Sequence, residues 1–327
     1  MRIAVTGSIA TDHLMVYPGR FADQLIEGRL DKVSLSFLAD ELVIRRGGVA
    51  ANIAFGLGRL GLRPILVGAA GTDFAEYRAW LEAAGVDTGS VRISETRHTA
   101  RFVCTTDADQ NQIATFYAGA MTEARELALA PVAGRAGGLD LVVIAPNDPE
   151  AMVRHTDECR TLGLPFAADP SQQLARLTRA EARHLVEGAA YLFTNEYEAA
   201  LLHQLTGWTH DQVLDQVGTW VTTHGADGVV IARAGTTPLT VPAVPTDRFA
   251  DPTGVGDAFR AGFLAGLSLR WPLPRAARLG CALATKALET VGTQEYQVSA
   301  QELIRSVGES VGESVGESVG EVPAGAR

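Results

Sequence analysis

The chain has 327 residues, which is enough for one large domain or two small ones. Hydrophobic residues make up 46% of the sequence and charged residues 20%, as is ordinary for a soluble globular protein. The formal net charge of −10 argues against nucleic acid as the main partner, because a surface that follows phosphates needs clustered lysines and arginines. An anionic ligand would therefore need a local positive site.

The cysteines and the start of the chain indicate in which cellular compartment the protein is found. Cys104, Cys159 and Cys281 form no CxxC pair and have no metal-binding spacing, which indicates buried thiols in a reducing environment. The sequence has no signal-like start and no run of 18 or more apolar residues. We therefore expect a cytoplasmic protein without a membrane segment.

Short apolar runs alternate with amphipathic stretches along most of the chain, which predicts an α/β fold with a mostly parallel central sheet and helices on both faces. The predicted strands are residues 2–5, 64–68, 140–145, 166–169, 191–194 and 228–232. The predicted helices are residues 50–60, 73–84, 149–162, 179–187, 196–206 and 209–223. In such sheets, ligands bind beyond the carboxyl ends of the strands.

Two segments, residues 12–46 and 97–120, interrupt this alternation. Within the second, two stretches with a two-residue period flank the polar turn 107–111 and predict a hairpin. A hairpin centred on Asp109 makes Phe102 and Phe116 cross-strand neighbours on one face. We expect strands from both segments to form a small antiparallel sheet that acts as a lid over a cleft or as a dimer surface.

The C-terminus contains a short repeat. Ser-Val-Gly-Glu occurs four times over residues 306–321, and a unit this small and polar cannot bury a core. We therefore expect one domain over residues 1–305 and a disordered tail over residues 306–327.

Two N-terminal segments could bind a polar ligand. Asp12 lies just beyond the first strand, where a carboxylate can accept two hydrogen bonds from a vicinal diol, although a solvated turn aspartate fits the segment equally well. Gly47 and Gly48 precede a helix and allow a ligand to approach the backbone, while Asn52 offers a donor and an acceptor. Close packing of helix on sheet would explain the same small residues.

Asn195 and Glu198 follow a predicted strand and open a helix. Their spacing of three places both side chains on one helix face, where they could hold the water shell of Mg²⁺. An N-cap asparagine with a glutamate at N3 is the structural alternative, and the two interpretations are compatible.

The most informative segment is residues 251–257, Asp-Pro-Thr-Gly-Val-Gly-Asp. The turn at Gly254 and Gly256 leads into a helix, so free amide groups and the positive dipole end can bind an anion together. Asp257 would repel an anion there, but it could take a proton from an attacking hydroxyl. The alternative is an ordinary turn whose acidic residue is favoured by the helix dipole.

These motifs together resemble the ribokinase-like (PfkB) family of sugar and nucleoside kinases over roughly residues 1–300, and most of all its mycobacterial-type adenosine kinases. Pro252 and Val255 differ from the Thr and Ala of many members. The resemblance implies a three-layer ribokinase-like fold with a small antiparallel β lid and a homodimer formed through that lid. It also implies transfer of phosphate from ATP to the 5′-hydroxyl of adenosine, a purine-salvage reaction that requires Mg²⁺ and in many members is activated by K⁺.

The resemblance further implies roles for individual residues. Asp257 would be the general base, and the amides of Gly254, Val255 and Gly256 would form the anion hole. The expected nucleoside site contains Ser8, Asp12, Ser36, Gly48, Asn52, Phe102, Phe116, Gln172, Gln173 and Arg176. The expected ATP side contains Asn195, Thr223, Gly225, Ala226, Asp227 and Gly228, with Glu198 holding Mg²⁺ through water. Asp251, Thr253 and Gly292 match the region where family members bind K⁺.

Three functions remain open at this point. They are an adenosine kinase, a sugar kinase acting on ribose, fructose or a keto-deoxy sugar, and a non-catalytic binding or regulatory protein on the same fold. Phe102 and Phe116 favour the first, because two rings on one lid face can stack on a purine, although both could pack in the lid or a dimer interface instead. The intact glycine turn and Asp257 argue against the third.

Overall fold

Short runs rich in Val, Ile and Ala form the central sheet of the protein, whose computed structural model describes residues 1–25 and 34–313, without the side chains of 308–313. Nine strands lie side by side in this sheet. In spatial order they are β13 (Leu239–Val241), β12 (Val229–Ala232), β11 (Trp220–Thr223), β10 (Tyr191–Asn195), β9 (Phe166–Ala168), β8 (Leu141–Ile144), β1 (Ile3–Thr6), β4 (Ile65–Ala70) and β5 (Asp87–Ile93). The strands from β11 to β5 run parallel, and β12 and β13 pair antiparallel at one edge.

Helices cover both faces of the sheet, so the expected three-layer α/β fold is confirmed. The helices are α1 (Val49–Arg59), α2 (Ala75–Ala83), α3 (Leu129–Ala136), α4 (Pro149–Leu162), α5 (Arg179–Val186), α6 (Glu196–Thr206), α7 (His210–Leu214), α8 (Val255–Ser268), α9 (Leu273–Leu288) and α10 (Ala300–Glu313). Alternate strand residues enter two separate cores: Ile3 and Val5 pack with α1, α2, α8 and α9, whereas Ala4 packs with α3 to α7. No helix in the described ranges is long and apolar enough to cross a membrane.

A second sheet of four strands projects from the first, as the sequence predicts. Its strands are β3 (Glu41–Gly47), β2 (Ala10–Val16), β6 (Ala100–Thr106) and β7 (Gln112–Tyr117), in that spatial order. It is antiparallel except for the parallel pair β2 and β6. Phe102 and Phe116 are direct cross-strand partners, and the row continues through Asp12 to Arg45, so four side chains share one face. We call this sheet the lid.

The predicted helix over residues 209–223 is wrong in its second half. Helix α7 ends at Leu214, and the chain returns as strand β11 with Trp220 buried in the core. The run Val221-Thr222-Thr223 is β-branched and favours a strand, and Gly218 donates to the carbonyl of Ala189 to bring the chain back to the sheet.

The C-terminal helix extends beyond the expected domain end at residue 305. Helix α10 runs through the first two Ser-Val-Gly-Glu repeats to Glu313, in place of the expected disorder over residues 306–313. Leu303 and Ile304 pack against the core and Val307 is buried in it, so the helix has an apolar side to cover. The rest of the predicted tail, residues 314–327, lies outside the described residues, as do residues 26–33 of the predicted lid segment.

Candidate active site

A cleft of about 940 Å³ lies between the lid and the carboxyl ends of the parallel strands. Most of the residues singled out from the sequence line it. They are Ser8, Asp12, Gly48, Asn52, Phe102, Phe116, Gln172, Gln173, Arg176, Asn195, Glu198, Thr223, Gly225, Gly254, Gly256 and Asp257. Thus the structure brings together the residues of the expected nucleoside side and several of the expected ATP side.

The turn at the floor of the cleft requires glycine at position 254 and is tightly packed at position 256. Gly254 caps helix α8 with a φ of 75°, and a Cβ there would lie 2.9 Å from Thr293. A Cβ on Gly256 would lie 2.8 Å from Nη1 of Arg260. Gly256 and Asp257 line the cleft in the first turn of α8, where amide groups have no partners within the helix, which is the arrangement expected of an anion hole. The amide of Val255, in contrast, donates to the carbonyl of Pro252 at 3.4 Å.

Asp257 stands in that first turn and is held from the side by Asn52, whose Nδ2 donates to Oδ2 of Asp257 at 2.8 Å. Burial raises the pKa of Asp257 to about 6, with Glu198 adding to the rise and Arg260 and Asn52 opposing it. A carboxylate with this pKa is ionised at neutral pH yet more basic than an ordinary aspartate, which suits a proton acceptor.

The orientation of Asn52 is fixed by a second layer of polar residues. Oδ1 of Asn52 accepts a hydrogen bond from Nε2 of Gln294 at 2.9 Å and lies 2.9 Å from Oγ1 of Thr293. Gln294 also donates to the hydroxyl of Tyr77, which donates to the carbonyl of Gly47. Because Gln294 donates to Oδ1, the amide nitrogen of Asn52 faces Asp257.

The expected nucleoside side of the cleft lies where the lid meets helix α1. Gly48 has a φ of 92° and packs so tightly that a Cβ would lie 2.6 Å from the carbonyl of Ser8. The hydroxyl of Ser8 accepts from the amide of Val49 at 3.0 Å and so caps the start of α1. Burial raises the pKa of Asp12 to about 6, opposed by Arg45 and assisted by Asp251.

Asn195 and Glu198 form a capping box at the start of α6, so the structural interpretation of this pair is correct. Both also line the cleft, and Oε1 of Glu198 accepts from Oγ of Ser171 at 2.9 Å. The described residues contain no group of three acidic, histidine or cysteine side chains able to hold a metal. Since Mg²⁺ keeps several waters and binds phosphate oxygens, one carboxylate beside the anion hole fits it.

The expected K⁺ ligands are engaged by protein donors. Oδ2 of Asp251 accepts from Arg45 at 3.1 Å and from the amide of Gly292 at 3.0 Å, and Oδ1 accepts from the amide of Thr253 at 2.9 Å. These donors lower the pKa of Asp251 against the effect of its burial. A guanidinium thus neutralises the Asp251 carboxylate, and the expected K⁺ site at Asp251, Thr253 and Gly292 stays a prediction.

A few of the expected site residues lie away from the cleft. Ser36 is exposed on the lid segment, and Ala226 and Asp227 are exposed on a turn. Gly228 packs against the carbonyl of Val241, which its φ of 94° allows. Val255 does not line the cleft, although its backbone begins α8.

Sequence reasoning missed several residues of the site, and three of them are in contact with the residues at its floor. Arg260 lines the cleft one turn after Asp257, and that spacing could have revealed it. Thr293 and Gln294 reach Asn52 across more than 240 residues of chain, and no local pattern marks them. Their place next to Gly292, at the end of the expected site region, was the one available hint.

Comparison with known proteins agrees with this geometry. Residues 5–300 match the model of the pfkB family carbohydrate kinases. The chain is 34% identical over 254 residues to a nucleoside kinase of Methanothermobacter thermautotrophicus, which covers 76% of this chain and 80% of the relative. The Burkholderia thailandensis nucleoside kinase in complex with inosine superposes with a TM-score of 0.81 at 33% identity, covering 95% of this chain and 98% of that chain. The chain therefore belongs to the pfkB family of carbohydrate kinases.

Proposed function

We propose that the protein is an ATP-dependent nucleoside kinase that phosphorylates the 5′-hydroxyl of a purine nucleoside, with adenosine as its expected substrate. The observation that carries this proposal is the row of side chains across the lid. Asp12, Phe102 and Phe116 are consecutive cross-strand partners, and all three line the cleft. A carboxylate that can bind sugar hydroxyls thus lies beside two rings that can stack on a base.

The two rings have the freedom that stacking requires. Within the described residues, neither Phe102 nor Phe116 contacts another aromatic ring, and Phe116 is 46% exposed. A free sugar would leave these rings in water, whereas a nucleoside would cover them. This difference favours a nucleoside over the sugars that other carbohydrate kinases phosphorylate.

The chemistry follows from the geometry at α8. The nucleoside 5′-hydroxyl would attack the γ-phosphorus of ATP while its proton passes to Asp257, and ADP would leave from the opposite side. The amides at the start of α8 would bind the transferring phosphoryl group. Bound Mg²⁺ would supply charge neutralisation of the phosphates, with Glu198 and Asn195 as the residues that would hold its waters.

An ATP-consumption assay with adenosine, inosine, cytidine, ribose and fructose tests this function. The Burkholderia relative binds inosine, so adenosine and inosine are the two purine nucleosides to compare first. We expect a higher kcat/KM for adenosine or inosine than for either sugar. Preferential turnover of ribose or fructose would identify a sugar kinase, and no turnover of any acceptor would favour a non-catalytic protein.

Replacing the base should abolish turnover without unfolding the protein. Asp257→Asn keeps the shape of the side chain but cannot accept the proton, so kcat should fall by at least about 10²-fold. Because burial raises the pKa of Asp257, ionising it at neutral pH costs folding stability, and the variant should melt at the same or a higher temperature. Asp211→Asn, also in the first turn of a helix but exposed, is the matched control and should retain activity. Turnover of Asp257→Asn within threefold of the wild type would contradict the assignment.

The rate should depend on pH in the acid range. With a pKa of about 6, Asp257 is a competent acceptor above pH 6 and becomes protonated below it, so kcat/KM for the nucleoside should rise through pH 6 and then level off. Profiles measured from pH 5 to 9 check this. Asp12 has a similar pKa, so Asp12→Asn serves as the control, and its profile should keep the rise. A profile that is flat down to pH 5 would argue against a base with a raised pKa.

Removing the lid aromatics should weaken nucleoside binding. Base–aromatic stacking is worth roughly 1–3 kcal/mol per ring, so Phe102→Ala and Phe116→Ala should each raise the nucleoside KM by about 10-fold, with a smaller effect on kcat. Tyr117→Ala is the control, because Tyr117 is equally exposed on β7 but points to the opposite face of the lid. Equal effects of all three substitutions would mean that the lid responds to lost packing and not to lost stacking.

We also propose that the protein forms a homodimer through the lid. The lid face that turns away from the cleft carries Leu42, Ile44 and Ile113, each about half exposed. Such a group on an open sheet face is typical of a protein interface. We expect sedimentation velocity to show a dimer that Ile44→Glu dissociates and Leu162→Glu, an exposed apolar site outside the lid, leaves intact. A monomeric wild type at tens of micromolar would refute this proposal.

A further inference from the structure

Arg260 occupies an unusual position for a charged residue at the floor of the cleft. Its side chain is only 7% exposed, and Nη2 donates to Oδ1 of Asp169 at 2.6 Å. The same nitrogen lies 3.9 Å from Oε2 of Glu198, and the guanidinium lies over the ring of Phe193 at 5.8 Å. These contacts hold the Nη2 side of the guanidinium in place. Because the guanidinium is planar and rigid, the direction of Nη1 is fixed as well.

The Nη1 atom of Arg260 lies next to the glycine turn at Gly254 and Gly256. Nη1 is close enough to Gly256 that a Cβ on this residue would meet it at 2.8 Å. Within the described part of the chain, Nη1 donates no hydrogen bond to protein, and the buried Nε has no acceptor either. Arginine normally uses its donors when it is buried, so an unused donor beside an anion hole points to a ligand that would accept from it.

More acidic than basic side chains line the cleft, so a fixed cation there would favour the binding of an anion. Asp12, Glu196, Glu198 and Asp257 line it, and the triphosphate of ATP adds further negative charge. Arg176 also lines the cleft, but it is exposed, so solvent screens its charge. A guanidinium removed from water interacts with a nearby anion far more strongly than an exposed one does.

We propose that Arg260 is a catalytic residue, whose Nη1 donates to a non-bridging oxygen of the transferring phosphoryl group beneath the turn at Gly254 and Gly256. As the bond from the γ-phosphorus to the ADP oxygen breaks and the bond to the acceptor oxygen forms, the acceptor proton goes to Asp257 and Arg260 keeps its own protons. Arg260 therefore adds fixed positive charge where the transition state needs it. Asp169 is the positioning residue that aims the guanidinium.

The competing explanation is that Arg260 only neutralises the buried Asp169. Arg260→Met alone would leave that carboxylate without its partner and could unfold the protein, so it cannot separate the two explanations. The double variant Arg260→Met with Asp169→Leu removes both buried charges together, and apolar pairs of similar volume often replace buried ion pairs without loss of stability. Asp169→Asn alone keeps the guanidinium and an oxygen that can accept from it, so its loss in kcat measures what the charge of Asp169 contributes to positioning Arg260.

The test measures kcat, the acceptor KM and thermal unfolding, with whichever acceptor the wild type phosphorylates. The inference rests on the kinase activity of the proposed function, but the choice of acceptor can fail without affecting this test. We expect the double variant to fold and to lose about 10²–10³-fold in kcat with a much smaller change in acceptor KM. We expect Asp169→Asn to lose less than about tenfold. A folded double variant with kcat within tenfold of the wild type would show that Arg260 is a counter-ion only, and would overturn the proposal.

Arg260→Lys keeps the inference testable if the double variant does not fold. A lysine can neutralise Asp169, but it cannot also donate beneath the turn, because it has one nitrogen where arginine has a planar fork. We expect this variant to melt within a few degrees of the wild type and to lose at least about tenfold in kcat. Unchanged kcat in a stable Arg260→Lys variant would equally overturn the proposal.

Discussion

Charge balance at the start of helix α8 is the constraint on which the rest of the site depends. The first turn of this helix contains amide groups that attract an anion and also the carboxylate of Asp257, which repels one. These opposing charges lie close together. The structure satisfies both by holding Asp257 to one side through Asn52 and by burying Arg260 one turn further along. Without either partner the buried carboxylate of Asp257 would be less well stabilised in its ionised form, since Arg260 and Asn52 both lower its pKa.

The fold brings the other parts of the site to this point. Parallel strands end at one edge of the sheet, so the segments after β1, β9, β10 and β11 open onto the same cleft. Close backbone approaches then set the exact geometry: Gly48 touches the segment after β1, and Gly254 touches Thr293. Substitution by any residue with a Cβ would separate these segments. The lid closes the remaining side with a row of side chains that spans all four of its strands.

The features of the site that could be predicted from the sequence depend on residues close together in the chain. The glycine turn with Asp257, the Asn195 and Glu198 pair, and the hairpin register of Phe102 and Phe116 each depend on residues within one element or one turn. What could not be predicted depends on distant partners. The ion pair of Asp251 with Arg45 joins residues 206 positions apart, and the ion pair of Arg260 with Asp169 joins residues 91 positions apart. The predicted helix over residues 209–223 is too long for a different reason. The β-branched residues in its second half favour a strand, and pairing with the sheet outweighs the amphipathic pattern.

The hydrogen bonds of Asn52 connect the lid to the floor of the cleft. Oγ1 of Thr293 lies 2.9 Å from both the carbonyl oxygen of Arg46 and Oδ1 of Asn52, either of which can accept its one hydrogen. Tyr77 and Gln294 join the carbonyl of Gly47 to the same Oδ1. Arg46 and Gly47 end strand β3, so the root of the lid and Asn52, which donates to Asp257, belong to one hydrogen-bonded unit. A substitution at Thr293, Gln294 or Tyr77 would therefore disturb the attachment of the lid and the position of the Asp257 carboxylate together.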